Sequence, residues 1–161
     1  MVPVKVGIFV TLIRVLYVAF WPLHNLWQFI LIAAATGSLI FGALTTLGEK
    51  LFKRFLVTTS INQIGLLLLG LSTVSLQGLQ ATVFYLFVYS LTTLMLFCTI
   101  LGVHYNYFEI QSLSWLNIIT QKNATVSIIL TILFFNMGGF PPLLGFFSKF
   151  YLLLEVGLSG N

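Results

Sequence analysis

The chain has 161 residues, 59% of them hydrophobic and only 6% charged, and its mean hydropathy is +1.08. Soluble domains carry about a quarter charged residues, so these values exclude a water-solvated fold and leave an integral membrane protein. The net charge of +4 comes from seven basic and three acidic groups, too few for a nucleic-acid surface but informative about topology.

Cys98 is the single cysteine, which excludes an internal disulfide, and without a second cysteine it reads as a small apolar filler rather than a metal ligand. The first twenty residues lack the short apolar core and small-residue cleavage site of a secretory signal, so they read as a mature span.

About 20 apolar residues are needed to cross roughly 30 Å of hydrocarbon, and the punctuation predicts an all-α polytopic helix bundle with about five spans. The first covers 2–20 and stops at Trp21-Pro22-Leu23-His24-Asn25, where a proline and an interfacial tryptophan coincide. The second covers 26–47 and ends at Gly48-Glu49-Lys50. The third, 52–74, opens on the basic pair Lys53 and Arg54, and the turn Ser75-Leu76-Gln77-Gly78 leads to a fourth span at 79–102. An interfacial polar segment is expected at 103–123, with Glu109, Lys122 and an apolar stripe around Trp115. The remaining stretch is too long for one straight helix; Gly138-Gly139-Phe140-Pro141-Pro142 divides it into halves at 124–137 and 141–158.

Lys149 stands seven residues after that break. No Asp, Glu, Lys or Arg occurs from Asn123 to Ser148, and Phe150 to Leu154 is apolar again. A lysine at the centre of a membrane helix costs roughly 2.5 to 3.5 kcal/mol on insertion scales, and such residues usually face a bundle interior or a wet path. Non-helical backbone at membrane depth is likewise tolerated only inside protein or along a cavity. An ion pathway is the first hypothesis; snorkelling of Lys149 along the helix end is the bland alternative.

Lys5 and Arg14 are the other basic residues within spans. A lysine can release its proton and take it back, whereas arginine stays charged in proteins, so Arg14 is a fixed charge or a carboxylate partner. Lys5, close to the N-terminus, can equally snorkel to the headgroups. Tyr85 and Tyr89 share one face of the fourth span and are followed by Thr92 and Thr93. Such hydroxyls can relay a proton or simply pack. Ser60, Asn62 and Gln63 read as interhelical polar contacts first and as pathway second. Glu155, six residues beyond Lys149, falls about 240° around the helix at 100° per residue, so the two are not same-face partners, and it is expected near the far interface.

With five spans, Lys50, Lys53, Arg54 and Lys122 all fall on the side of the N-terminus and none on the other. The positive-inside rule then puts the N-terminus on the cytoplasmic or matrix side.

Three separated motifs carry a resemblance. Gly42-Ala43-Leu44, then Lys53-Arg54-Phe55-Leu56, then Thr59-Ser60-Ile61-Asn62-Gln63-Ile64-Gly65 resemble a stretch of the proton-translocating antiporter-like subunits of respiratory complex I. Phe140-Pro141-Pro142-Leu143-Leu144-Gly145-Phe146-Phe147-Ser148-Lys149-Phe150-Tyr151-Leu152 resembles that family's broken-helix motif. Tyr85 and Tyr89 with Leu91-Thr92-Thr93 are most similar to its chain 2 branch, and Pro3 to Tyr17, with Lys5 and Arg14, looks like that branch's eighth helix. Val57-Thr58 departs from the family's usual Ala-Tyr, and Asn62-Gln63 stands where other members often place a histidine nearby.

The resemblance implies helices eight to twelve of a fourteen-helix fold. It implies the output half of a proton channel in which Lys5 receives a proton, Tyr85, Tyr89, Thr93 and water relay it, and Lys149 releases it at the break formed by Gly138, Gly139, Pro141 and Pro142. The chain would then be a subunit of an H+-translocating NADH:ubiquinone reductase, with no redox site or cofactor of its own. Its expected partners are lipids and other membrane-arm subunits, among them a separate chain supplying the missing early helices with their lysine and glutamate; no nucleic acid is expected. The expected location is the mitochondrial inner membrane, N-terminus in the matrix. Two alternatives stand beside this: a structural or assembly remnant whose lysines are only paired or hydrated, and a subunit of a related cation/proton antiporter complex.

Overall fold

In lipid every backbone N–H and C=O must find a partner within the protein, and this chain meets the condition with helices. The computed structural model describes residues 2–106 and 123–159. Its α-helices are α1 (Val2–Arg14), α2 (His24–Gly48), α3 (Phe52–Leu71), α4 (Leu76–Asn106), α5 (Ala124–Gly138) and α6 (Leu144–Ser159); no strand occurs among the described residues. Three helical stretches, Trp21–Gly48, Phe52–Leu71 and Leu76–Gly102, are long and apolar enough to cross a membrane, and Ala124–Gly138 is a shorter apolar helix.

Besides α3 ending at Leu71 and α4 starting at Leu76, inside the expected turn, three features differ from the sequence reading. The first helix does not run evenly to a loop at residues 21–25. After Arg14 it widens into a π-helical turn at Val15–Ala19, and a 3-10 turn at Trp21–Leu23 then leads directly into α2. Pro22 explains the direct passage, because its fixed φ and missing N–H suit the first turn of a helix. Second, α4 continues through residues 103–106, assigned above to the interfacial segment; the rest of that segment, Trp115 included, lies outside the described residues. Third, the second half-helix starts at Leu144 rather than at Pro141, since Pro142 disfavours the helical region for the residue before it.

α2 and α3 form a hairpin along a seam of small residues. A Cβ on Gly42 would meet the backbone N of Asn62 at 3.0 Å, and one on Gly65 would meet Leu39 Cγ at 2.9 Å. Small residues let helices approach closely where lipid offers no hydrophobic drive for association. The other side of α2 is open: Phe29 is 75% and Leu47 88% exposed. α4 packs against α1, α3, α5 and α6 and is the central post of the bundle.

Around α4 the apolar interior divides in two. One cluster joins Phe52, Leu96, Ile100, Leu130 and Leu133. The other joins Phe9, Leu67, Leu71, Ala81, Leu86 and Leu152 with the rings of Tyr85 and Tyr89. Along α3, Gln63 falls between Phe52 and Leu67; along α4, Thr92 and Thr93 fall between Tyr89 and Leu96. A polar layer is thus enclosed between two apolar ones, and Met137 touches both.

The end of α5 and the start of α6 meet without room for a side chain. Gly145 lies against the Asn136 carbonyl, whose carbon an added Cβ would approach to 2.9 Å. Both atoms are backbone, so neither can yield by a rotamer change. Gly145→Ala is therefore expected to cost about 1–3 kcal/mol, the usual penalty of overpacking, seen as a lower thermal midpoint of the detergent-solubilised protein. A midpoint equal to wild type would show that the two half-helices have slack.

Candidate functional site: a lysine held on a broken helix

α5 ends in a Schellman motif. The Phe140 N–H donates to the Phe135 carbonyl at 3.0 Å and the Gly139 N–H to the Asn136 carbonyl at 3.2 Å. Gly139 is left-handed, with φ 82°, a conformation glycine adopts without the Cβ penalty of other residues. The Phe135 and Phe140 rings make the hydrophobic contact that accompanies such ends, centroids 5.2 Å apart. These bonds account for the carbonyls of Phe135 and Asn136 and leave that of Met137 without a backbone donor.

Two side chains supply what the backbone does not. Lys149 Nζ donates to the Met137 carbonyl at 2.6 Å, and Gln63 Nε2 donates to the same oxygen at 3.2 Å. A helix C-terminus carries about half a negative charge, so an ammonium there is favoured. The break that the sequence places beside Lys149 thus provides its anchor. Gly139 has a second constraint here: its Cβ would stand 3.0 Å from Lys149 Cδ.

The break is also tied across itself. The Gly145 N–H, at the start of α6, donates to Asn136 Oδ1 at 2.7 Å, so a side chain from the end of one half-helix satisfies an orphan donor of the next.

From α4, the Tyr85 hydroxyl donates to Gln63 Oε1, and from α1 Lys5 Nζ donates to the Tyr89 hydroxyl at 3.1 Å while lying 5.6 Å from that ring's centroid. Tyr85, Tyr89, Thr92, Ser148 and Lys149 border a common cavity of about 10 Å³, with Gln63 and Asn136 on its wall. That is near the minimum volume for one water molecule. Tyr85 is 3% exposed and Ser148 fully buried; Lys5 and Lys149 are half-buried.

Four of the five residues expected along a proton path, Lys5, Tyr89, Tyr85 and Lys149, therefore belong to two hydrogen-bonded sets at this layer. Thr93 is buried there too, but its hydroxyl donates to the Tyr89 carbonyl at 2.6 Å within its own helix. Ser60 likewise bonds back to its own helix, at Val57. Arg14 is exposed. Glu155 lies on the packed face of α6, 8% exposed, rather than in the open. Cys98 is exposed.

Sequence reasoning missed Asn136 and the Met137 carbonyl; Gln63, read as an interhelical polar contact first, bonds residues of two other helices. Asn136 did carry a signal, a lone polar residue three positions before a glycine in an apolar run. The carbonyl carried none, because every residue has one.

The comparisons with known proteins agree with this architecture. Residues 1–160 match the family described as NADH:quinone oxidoreductase/Mrp antiporter, TM. NADH-quinone oxidoreductase subunit N of Pelagibacter ubique is 34% identical over 152 residues, covering 94% of this chain and 32% of that protein. The subunit N of Francisella tularensis subsp. holarctica is 33% identical over 159 residues, 98% of this chain and 33% of that protein. NADH-ubiquinone oxidoreductase chain 2 of Marchantia polymorpha is 33% identical over 148 residues, 92% of this chain and 29% of that protein. The chain thus spans about a third of the length of these curated relatives. A match over nearly every residue, together with several helices apolar enough to span a membrane, makes this a multi-pass membrane protein that belongs to the NADH:quinone oxidoreductase/Mrp antiporter transmembrane family.

Proposed function

We propose that the chain is an antiporter-like part of the membrane arm of an NADH:quinone oxidoreductase and carries a segment of its proton path. The observation that bears most weight is Lys149 Nζ on the Met137 carbonyl at the helix break, beside a cavity shared with Tyr85 and Tyr89. A merely snorkelling lysine has no need of a broken helix, whereas a proton carrier needs a fixed place from which to exchange.

The chemistry runs as a relay. Lys5 gives a proton to the Tyr89 hydroxyl oxygen, on which it already donates, and Tyr89 passes its own proton into the cavity, so the tyrosine ends unchanged. A water of the size the cavity admits passes a proton to Lys149 when that amine is neutral. The helix end steadies the ammonium until it releases the proton on the other side. The way in to Lys5 belongs to protein outside residues 1–161, in a separate chain or the same one. Oxidation of NADH and reduction of quinone belong to other subunits: this sequence has no cysteine ligand set or glycine-rich phosphate loop, and we assign it no cofactor.

The membrane we assign is the mitochondrial inner membrane, with the N-terminus in the matrix. What supports the orientation is the exposed basic group of Lys50, in the turn between α2 and α3, with Lys53 and Arg54 in the first turn of α3; what supports the membrane is the likeness to the Marchantia chain 2.

The test is NADH-driven proton uptake by vesicles holding the intact complex. Lys149→Met is expected to lower uptake roughly a hundredfold, the lower range of what a placed proton-transfer group contributes, with the complex still assembled in the membrane. Lys149→Arg keeps the charge but cannot release its proton, and is expected to fail equally. Wild-type uptake in either variant would leave Lys149 a structural residue and favour the assembly reading.

Tyr89→Phe removes the hydroxyl that accepts from Lys5 while keeping the ring. Uptake is expected to fall roughly tenfold, the worth of one hydrogen bond to a charged group, as measured by pH-dye quenching. Undiminished uptake would take Tyr89 out of the path without touching Lys149.

A further inference from the structure

The sequence marks Gln63 as an interhelical contact, and its geometry gives it a more particular place. Its side chain is 5% exposed and both ends are engaged: Nε2 on the Met137 carbonyl at 3.2 Å, and Oε1 under the Tyr85 hydroxyl. A backbone carbonyl can only accept. The amide nitrogen must therefore face Met137, the amide oxygen must face Tyr85, and the tyrosine must be the donor in that pair. One unambiguous acceptor fixes the direction of every bond in the set.

Two consequences follow. The Tyr85 proton is committed to Gln63, so the tyrosine meets the cavity with its oxygen lone pairs and acts there as an acceptor. A carboxamide, moreover, neither takes up nor releases a proton near neutrality, so Tyr85–Gln63–Met137 is an insulated link: it holds but does not conduct. It ends on the same oxygen that holds Lys149. The Met137 carbonyl is shared by a neutral donor from α3 and a charged donor from α6, and the neutral one stays when the charged one leaves.

We propose that Gln63 is the positioning residue of the lysine site. It holds the Met137 carbonyl and the Tyr85 hydroxyl in fixed directions so that Lys149 returns to one place after each proton release, and it must be neutral to do so. This rests on the proton-path reading above and adds to it a residue that carries no proton.

The test measures proton uptake and NADH oxidation together in the intact reconstituted complex. Gln63→Met keeps length and removes both hydrogen bonds; Gln63→Glu keeps shape but cannot donate to the carbonyl when ionised, and it offers Lys149 a carboxylate in place of the carbonyl. Protons moved per NADH oxidised are expected to fall roughly tenfold in Gln63→Met, on the scale of a hydrogen bond to a charged group. Gln63→Glu is expected to fall at least as far despite being the closer isostere. Gln63→His, whose ring presents one acceptor and one donor only while neutral, is expected to recover most of the ratio at alkaline pH and to lose it as the pH falls.

A merely structural glutamine predicts the reverse ranking, with Glu milder than Met, and His, whose rigid ring least resembles the linear amide, worst at every pH; that ranking would overturn the proposal. So would a wild-type ratio in Gln63→Met. If Gln63→Met does not assemble, the contrast of Glu and His decides alone. Lys149→Met is run alongside: if it pumps normally the proton-path reading fails, whereas if it fails while Gln63→Met pumps normally, only the role of Gln63 is lost.

Discussion

The oxygen of Met137 is the atom on which this bundle's interior is organised. Ending a helix inside a membrane leaves carbonyls that lipid cannot satisfy, each costing several kcal/mol if abandoned. Schellman bonding takes care of Phe135 and Asn136, but geometry stops it there. The next carbonyl needs a side-chain donor, and the chain brings two, from α3 and from α6. Breaking the helix and burying the lysine would each be unfavourable alone. Together each supplies what the other lacks: the ammonium finds an acceptor at the negative end of a dipole, and the helix end finds its donor.

The surroundings of that contact follow from it. Gly139 has to be left-handed to close the motif and also has to leave room for the Lys149 stem. Gly145 has to lack a Cβ because the second half-helix starts against the backbone of the first. Asn136 has to be short and polar to cap α6 from α5. Three of the residues nearest the break are therefore restricted by sterics and hydrogen bonding before any question of transport arises.

Much of the fold was legible because the code for a membrane helix is coarse. Length and hydropathy predict helices at 26–47 and 52–74, where α2 covers His24–Gly48 and α3 covers Phe52–Leu71, and paired glycines with paired prolines announce the break before Lys149. Boundaries were less legible where proline acts in two ways: Pro22 reads as a stop but serves as the opening of a turn, and Pro141-Pro142 reads as the start of a half-helix that forms only after them. In the site, charge is conspicuous, so Lys149 and Lys5 stood out. Hydroxyls four residues apart are ambiguous, since Tyr85 and Tyr89 have the same spacing whether they pack or relay. Neutral polar partners at long separation were the hardest. Gln63 meets Met137 across 74 positions and Tyr85 across 22, and no local pattern can express such pairings.

The layer also separates two kinds of polar group that a composition count would merge. Lysines and tyrosine hydroxyls both take and give protons, so Lys5, Tyr89 and Lys149 can form a path. A carboxamide and a peptide carbonyl do neither, so Gln63 and Met137 can only hold. Had the carbonyl been served by a second titratable group, discharge of one would have disturbed the other, and the anchor would have moved with the charge it receives. A neutral donor on the same oxygen avoids this. The break therefore keeps its shape through a cycle in which its lysine is charged for only part of the time, and a charge can leave a buried site repeatedly only where the site outlasts the charge.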